Sequence, residues 1–297
     1  MKALIKSIYN LIPFKKQFYT FLRNFWTPSQ SLYRHLHFKG VFDVNVTESK
    51  KFKLNHYGYE IENEIFWAGL TNGWEKVSIK LWIKLCENVN VVFDIGANTG
   101  IYSLITKTIN PNSKVYAFEP VARVFKKLEE NNALNNFDIN SIEKAVSNSN
   151  GAAIIYDTRT DHILSVTVNK NLASPETEVI ETKIETVTLN SFIKEENITK
   201  IDLIKIDVET HEPEVLEGFS DYLFKFKPTI LIEILNNEVG EKIENIVKGM
   251  GYLFFNIDEN IVGGGVRQVE KIIKSDYYNY LLCDSETAIK LGLLSNS

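Results

Sequence analysis

The stretch from residue 91 to residue 120, VVFDIGANTGIYSLITKTINPNSKVYAFEP, decides the fold of this chain. Its apolar start at residues 91–94 predicts a buried strand, and residues 96–100 form a glycine turn. Apolar residues then recur at helical spacing over residues 101–108, and a proline-containing turn separates them from a second strand, Lys114–Phe118. The stretch therefore predicts a βαβ unit.

The end of the second strand carries an acidic residue, Glu119, 19 positions after Gly100. A carboxylate at this place can accept hydrogen bonds from two ribose hydroxyls, so an adenosine-bearing cofactor is implied. A dinucleotide fingerprint has the order G-x-G-x-x-G, whereas the order here is Asp94, Gly96, Asn98 and Gly100. The middle glycine, which admits a pyrophosphate, is absent. An NAD(P)-dependent oxidoreductase on the same scaffold is the competing interpretation.

Four motifs in this sequence resemble the FkbM family of S-adenosylmethionine-dependent methyltransferases. They are FDIGANTG, AFEP, IDLIKIDVETHEPEVLEGF and PTILIEI, and the resemblance covers residues 66–252. It implies an α/β fold with a doubly wound, mostly parallel seven-stranded sheet of order 3-2-1-4-5-7-6, and S-adenosyl-L-methionine as the cofactor. One departure is that Thr210 occupies the position of the family's glycine in Asp-Val-Glu-Gly-x-Glu.

The cofactor site is expected along the glycine turn and at the carboxyl ends of the second and third strands, where ligands of open parallel sheets bind. The third strand is predicted over residues 139–146. The expected cofactor-binding residues are Asp94, Gly96, Asn98, Thr99, Gly100, Glu119, Pro120, Ala145 and Val146.

The expected catalytic residues follow the fourth strand, which is predicted over residues 201–208. Asp207, Glu209 and His211 crowd its exit, where they can take the proton of an attacking hydroxyl. The neighbouring carboxylates are expected to raise the pKa of His211. Helix-dipole complementarity explains acids after residue 211, but it does not explain Asp207 at the end of an apolar run.

A metal site is a further alternative for the same region. Asp207, Glu209 and Glu233, with the amide of Asn236 or Asn237, are oxygen ligands of the kind that Mg²⁺ takes. Carboxylates bind such a cation only where their geometry converges, so no metal is assigned.

The charge of the chain is unevenly distributed. Of 297 residues 44% are hydrophobic and 24% charged, and the net charge is −5. Residues 1–42 hold seven Lys or Arg and no acid, which leaves −12 on the rest. An acidic body argues against a nucleic-acid partner. Cys86 and Cys283 lie far apart in apolar contexts, which favours free thiols in a reducing compartment. The expected location is therefore cytoplasmic, and peripheral to a membrane if the basic start of the chain binds lipid.

Two regions of the chain are expected: a basic arm with a β-rich cover over residues 1–65, and a methyltransferase domain over residues 66–297 with a β insertion on the substrate side at 151–188. The arm is predicted to form two amphipathic helices, the second with Phe14, Phe18, Phe21 and Phe25 on one face. Packing on the protein and weak contact with an anionic membrane both fit this pattern.

Three further elements are predicted from shorter patterns. Residues 61–67 alternate like a strand of the cover, residues 163–168 like a strand of the insertion, and residues 212–226 have the period of one helix. Residues 257–278 are predicted to be a long connection.

The sequence thus favours an O-methyltransferase that acts on a hydroxyl of a sugar, a glycan or a small natural product. A non-catalytic adenosine-binding assembly protein is the other competitor, and Asp207 and Glu209 argue against it. The oligomeric state is left open.

Overall fold

The computed structural model describes residues 13–158, 179–260 and 265–295 of the chain. The chain forms two compact units that divide after Lys76, whereas the sequence favoured a boundary after residue 65. The first predicted helix of the arm, over residues 5–12, and the strand over 163–168 lie outside the described residues. Within these ranges, no helix is both long and apolar enough to cross a membrane.

The first unit contains a strand hairpin and short helices. Its elements are α1 (Lys15–Leu22), α2 (Gln30–Tyr33), β1 (Gly40–Asn45), β2 (Lys51–His56) and α3 (Glu60–Ala68). β1 and β2 pair in antiparallel fashion. The strand predicted over residues 61–67 is wrong, because these residues lie in α3. An apolar run this short does not separate strand from helix by period, and Glu60 and Glu62 suit the first turn of a helix.

The second unit alternates strands and helices. Its elements are α4 (Lys76–Leu85), β3 (Val91–Ile95), α5 (Ile101–Ile109), β4 (Lys114–Phe118), α6 (Ala122–Asn135), β5 (Ile139–Ile142), β6 (Ala145–Val146), β7 (Gly151–Thr158), β8 (Val179–Val187), α7 (Leu189–Glu195), β9 (Leu203–Ile206), α8 (Glu212–Glu217), α9 (Ser220–Phe226), β10 (Thr229–Glu233), α10 (Asn237–Val247), β11 (Leu253–Ile257), β12 (Val266–Val269), β13 (Asn279–Cys283) and α11 (Ser285–Lys290). The predicted βαβ unit is therefore confirmed as β3, α5 and β4.

The central sheet of the second unit has eight strands in the order β12-β11-β13-β10-β9-β3-β4-β5. The neighbours from β10 to β5 are parallel, and β13 is antiparallel to both β10 and β11. The order 3-2-1-4-5-7-6 and the doubly wound α/β class are confirmed. The strand number is corrected from seven to eight, because β12 forms within the connection predicted over residues 257–278 and pairs with β11.

A second, three-stranded sheet has the order β6-β8-β7. The third strand predicted over residues 139–146 is therefore wrong at its end: β5 stops at Ile142, and Ala145 and Val146 pair with Thr186 and Val187 of β8. β7 and β8 are antiparallel, as a β insertion after the third strand requires.

The helix predicted over residues 212–226 is split into α8 and α9. Gly218 lies at the break, and a Cβ there would be 2.0 Å from the carbonyl oxygen of Ser147. The chain turns at this close contact, and the predicted inward residues are still buried. These are Val215, Leu216, Phe219, Leu223 and Phe226.

Aromatic packing fills part of the core beside the central sheet. The rings of Phe93 and Phe118, on β3 and β4, have centroids 5.7 Å apart, and Phe192 of α7 lies 5.0 Å from Phe118. All three are buried. Strands β3 and β4 are therefore fixed next to each other by rigid, close-packed side chains.

Candidate active site

The glycine turn between β3 and α5 is held by the ends of its two neighbouring strands. The amides of Gly96 and Ala97 donate hydrogen bonds of 3.0 and 2.9 Å to the carbonyl of Phe118. On the other side, Gly96 has φ +78°, and a Cβ there would lie 1.9 Å from the carbonyl oxygen of Asp207. Only glycine fits, because both the left-handed conformation and the close backbone approach exclude a side chain.

The rest of the turn is supported from helix α6. Gly100 has φ +90°, and a Cβ there would lie 2.5 Å from Cδ1 of Leu128. Thr99 is buried, and the side-chain amide of Asn131 donates to its carbonyl over 2.9 Å. Asn98 itself has φ +52°, a conformation that asparagine tolerates. Sequence reasoning missed Asn131, whose only signal was a polar residue on the inward face of a helix.

Glu119 closes β4 at the mouth of this turn. It is buried, and its two carboxylate oxygens accept from the amides of Asn98 (3.1 Å) and Val121 (2.9 Å). Burial raises the pKa of Glu119 to about 7, against the opposing effect of these hydrogen bonds. Each carboxylate oxygen has a second lone pair, so the group is able to accept two further hydrogen bonds. Pro120, half-buried, follows it directly.

Asp94 lies behind the turn. Its side chain is buried, and Oδ2 accepts from the amide (3.0 Å) and the hydroxyl (2.6 Å) of Ser103. Ser103 is the third residue of α5, so Asp94 satisfies an amide that the first turn of a helix leaves without a partner. Burial raises the pKa of Asp94 to about 6, and the Lys205 charge lowers it. This geometry gives Asp94 a role in holding the start of α5.

The exit of β9 contains a buried lysine that sequence reasoning missed. Lys205 is 1% exposed within the run Leu203–Ile206, and its Nζ lies 3.1 Å from Oδ2 of Asp207. The same Nζ lies 5.2 Å from the centre of the Tyr102 ring, in the range of a cation–π contact. A charged residue inside an apolar strand was the available signal.

Glu209 and Thr210 form a strained turn after Asp207. Their φ values are +55° and +79°, and a threonine in this region is rare because its side chain is branched at Cβ. Glu212, fully buried, fixes the turn: its Oε1 accepts from the amides of Val208 and Thr210, each over 3.2 Å. Burial raises the pKa of Glu212 to about 8.

Glu209 is the group in this turn whose ionisation falls nearest neutrality. Burial, and then the negative charge of Asp207, raise the pKa of Glu209 to about 7, while Lys205 lowers it. A half-buried carboxyl with this pKa is able to exchange a proton at neutral pH.

His211 is bound on both sides of its ring. Nε2 lies 3.0 Å from the hydroxyl of Ser147, and Nδ1 lies 3.5 Å from Oε2 of Glu214. The expectation that neighbouring carboxylates raise its pKa is wrong in net effect. Burial lowers the pKa of His211, and this outweighs the opposite effect of Glu214 and Glu217.

Ala145 and Val146 do not extend the strand that ends beside Glu119. Strand β5 ends at Ile142, whose carbonyl accepts a hydrogen bond from the amide of Glu119 over 3.1 Å. Ala145 and Val146 lie in the second sheet, next to Ser147, the partner of His211.

The amides considered for a metal site have backbone partners. Oδ1 of Asn236 accepts from the amide of Val239, and Oδ1 of Asn237 accepts from the amide of Lys274. Among the residues that the structure describes, no three Asp, Glu, His or Cys side chains are grouped as a metal ion requires.

Comparisons with known proteins match this chain to methyltransferases. The family model of the methyltransferase FkbM domain matches residues 94–254, which include the glycine turn and the exits of β4, β9 and β10. The chain is 27% identical over 153 residues to the hexuronic acid methyltransferase AglP of Haloferax volcanii, covering 50% of this chain and 58% of that protein. It is 28% identical over 191 residues to the 31-O-demethyl-FK506 methyltransferase FkbM of Streptomyces tacrolimicus, covering 55% and 72%.

The chain was also matched to the crystal structure of a methyltransferase FkbM from Methylobacillus flagellatus. The sequence identity is 14% and the TM-score 0.41, over 66% of this chain and 43% of that chain.

Proposed function

This chain belongs to the FkbM family of methyltransferases, and from that premise we propose that it transfers the methyl group of S-adenosylmethionine to a hydroxyl oxygen of a sugar, a glycan or a small natural product. The observation that carries the proposal is the contact between Gly96 and the Asp207 carbonyl. It joins the turn suited to the cofactor to the acidic turn suited to the acceptor.

The residues around the glycine turn fit the cofactor. Glu119 offers two oxygens to the ribose hydroxyls, and its hydrogen bond to the Asn98 amide holds it at the turn. Gly96, Thr99 and Gly100 shape the turn, and Asp94 fixes the helix that follows. When bound, the cofactor supplies a methyl group on a positively charged sulfur, which is open to attack by a nucleophile.

The acidic turn after β9 suits the acceptor hydroxyl. We assign Glu209 as the group that takes its proton, because a base with a pKa near the working pH is the most effective. Asp207, held by Lys205 over 3.1 Å, orients the hydroxyl. With S-adenosylmethionine held at the glycine turn by Glu119, the acceptor oxygen would take its methyl group, and S-adenosylhomocysteine would be the leaving product. Proximity of the two reactants supplies the remaining acceleration.

His211 is given a positioning role in this proposal. With Ser147 on one ring nitrogen and Glu214 on the other, it links α8 to the second sheet. The proposed catalytic residues are therefore Asp207 and Glu209, and His211 is a positioning residue.

The charge around the site disfavours a phosphate next to the reacting hydroxyl. Asp207 and Glu209 would repel such a group, and Lys205 offsets part of this repulsion. A nucleic-acid acceptor is disfavoured for the same reason. The names of two relatives, a hexuronic acid methyltransferase and a 31-O-demethyl-FK506 methyltransferase, support sugars and natural-product hydroxyls as the first acceptors to test.

The test is turnover with methyl-labelled S-adenosylmethionine over a panel of glycosides and hydroxylated natural products. Asp207→Asn and Glu209→Gln should each lower kcat by roughly 10²–10⁴-fold, while cofactor affinity stays unchanged. In the unmodified protein kcat should rise with pH through about 7, because Glu209 acts only when deprotonated, and Glu209→Gln should lose this dependence. His211→Ala should cost less. Full turnover by a folded Glu209→Gln variant, or a large loss of kcat in His211→Ala that also abolishes the pH dependence, would assign the base to His211 instead.

A further inference from the structure

Helix α1 and the residues on both sides of it expose four aromatic side chains. Phe14, Phe18, Phe21 and Phe25 follow one another at helical spacing and are 74%, 58%, 63% and 76% exposed. We call these four residues the phenylalanine face. The rings of Phe21 and Phe25 contact each other at 5.2 Å between centroids, so the face is continuous there. A contiguous apolar patch of this kind marks an interaction surface.

The opposite side of the same helix is packed on its own unit. Tyr19 is 6% exposed, and its ring lies 5.3 Å from that of Trp67. Arg23 donates to the carbonyl of Phe66 over 3.1 Å and lies over the Phe66 ring at 4.5 Å. These contacts fix the rotation of the helix about its axis. The phenylalanine face is therefore directed to the outside of the first unit.

The charge around this helix favours one class of partner. Lys15 and Lys16 adjoin Phe14, and residues 1–42 hold seven basic residues and no acid. A second copy of the protein would present the same phenylalanine face with the same basic residues around it, so a symmetric contact between two copies would bring like charges together. A membrane with anionic lipids offers both requirements: negative charge for the basic residues, and an apolar layer for the rings.

We propose that the phenylalanine face binds an anionic lipid surface, with the rings at the boundary of headgroups and acyl chains and the basic residues at the phosphates. Aromatic rings suit this depth, and long basic side chains reach the headgroups while their stems cover apolar surface. Binding through the aromatic side chains of one short helix is weak and reversible.

The test is co-sedimentation of the full chain with vesicles of phosphatidylcholine alone and of phosphatidylcholine with phosphatidylglycerol. The full chain should bind the mixed vesicles, and binding should weaken as salt is raised. The variant Phe18→Ser/Phe21→Ser/Phe25→Ser should reduce the partition coefficient at least tenfold. Lys15→Gln/Lys16→Gln should reduce binding and its salt dependence together.

The matched control is Phe224→Ser, which removes an aromatic side chain of 72% exposure from helix α9. It should bind vesicles as the unmodified protein does. All variants are checked by thermal unfolding and by calorimetric titration with S-adenosylhomocysteine, which report on the fold independently of lipid.

Three results would overturn the proposal: no sedimentation of the full chain with mixed vesicles at low salt, equal binding by the triple variant, or equal loss in Phe224→Ser. If the triple variant instead dissociates an oligomer seen by analytical ultracentrifugation without lipid, the phenylalanine face is an interface between copies of the chain and the lipid proposal is wrong.

Discussion

The carbonyl oxygen of Asp207 occupies the place where a side chain on Gly96 would begin, since a Cβ at residue 96 would lie only 1.9 Å from it. The cofactor turn and the acidic turn are thus in direct backbone contact. A change at one of them is transmitted to the other without any side chain between them.

Gly96→Ala should therefore destabilise the protein and weaken binding of S-adenosylhomocysteine. Gly249→Ala is the matched control, because Gly249 has the same φ of +78° but nothing within 4 Å of a Cβ. The control should cost about 1–2 kcal/mol, the penalty of the left-handed conformation alone, with unchanged affinity. Thermal unfolding and calorimetric titration measure both quantities. Equal stability and equal affinity of the two variants would show that the turn moves freely away from Asp207.

Glu119→Gln should weaken S-adenosylhomocysteine binding by roughly 1.5–3 kcal/mol, or about 10- to 150-fold, as expected for lost hydrogen bonds to a charged group. The carboxylate of Glu119 accepts hydrogen bonds from two backbone amides. The NH₂ group of a glutamine would place a donor against one of these amides, so that hydrogen bond would be lost as well. Glu129→Gln, an exposed change on α6, is the control. An unchanged dissociation constant for a folded Glu119→Gln variant would remove this residue from the ribose site.

Lys205→Met should shift the pH dependence of kcat to higher pH, because Lys205 lowers the pKa of Glu209 and its loss leaves burial and Asp207 to raise that pKa further. The same variant removes the ion pair with Asp207, whose side chain is 30% exposed, so solvent screens part of the lost attraction. We expect Lys205→Met to lower the free energy of unfolding by roughly 1–3 kcal/mol. In urea unfolding, the double variant Lys205→Met/Asp207→Asn should be more stable than Lys205→Met alone.

Lys242→Met is the control for that pair. Its partner Glu238 lies at 2.8 Å on the exposed surface of α10, and its removal should leave stability and the pH profile nearly unchanged. A pH profile for Lys205→Met that overlays the unmodified one would show that Lys205 serves packing alone.

Thr210→Gly should stabilise the protein by roughly 0.5–2 kcal/mol, because relief of the strain at φ +79° exceeds the entropy that glycine adds to the unfolded chain. The melting temperature should rise, and kcat should show whether the strain serves catalysis. Asn136→Gly, at φ +51° on the carboxyl end of α6, is the control, because asparagine tolerates this conformation. A lower melting temperature for Thr210→Gly than for Asn136→Gly would contradict the strain at residue 210.

The elements with long periodic patterns were predictable from sequence. The strand, turn and helix from Val91 to Ile109 combine an apolar run, two glycines and a helical period, and each favours the same structure. Helix α3 was not predictable in this way, because a short apolar run fits both a strand and a helix until its tertiary contacts are known.

The missed features depend on contacts between distant parts of the chain. The break at Gly218 is caused by the carbonyl of Ser147, and the support of Thr99 comes from Asn131. For Lys205 the sequence shows a charge in an apolar strand, but it does not show that the ammonium group turns to Asp207 at the end of the same strand. The net pKa shift of His211 likewise depends on a balance of burial and charge that only packing sets.

The position of β13 in the central sheet constrains the order in which the protein can be assembled. This strand, near the end of the chain, lies between β10 and β11 and is hydrogen-bonded to both. During synthesis, β11 and β12 are made before β13, the strand that lies between β11 and β10 in the sheet. Until Asn279–Cys283 has left the ribosome, β10 therefore keeps an open edge, and such an edge is a template for pairing with other chains. Pairing of β13 with β10 closes this edge of the nascent sheet.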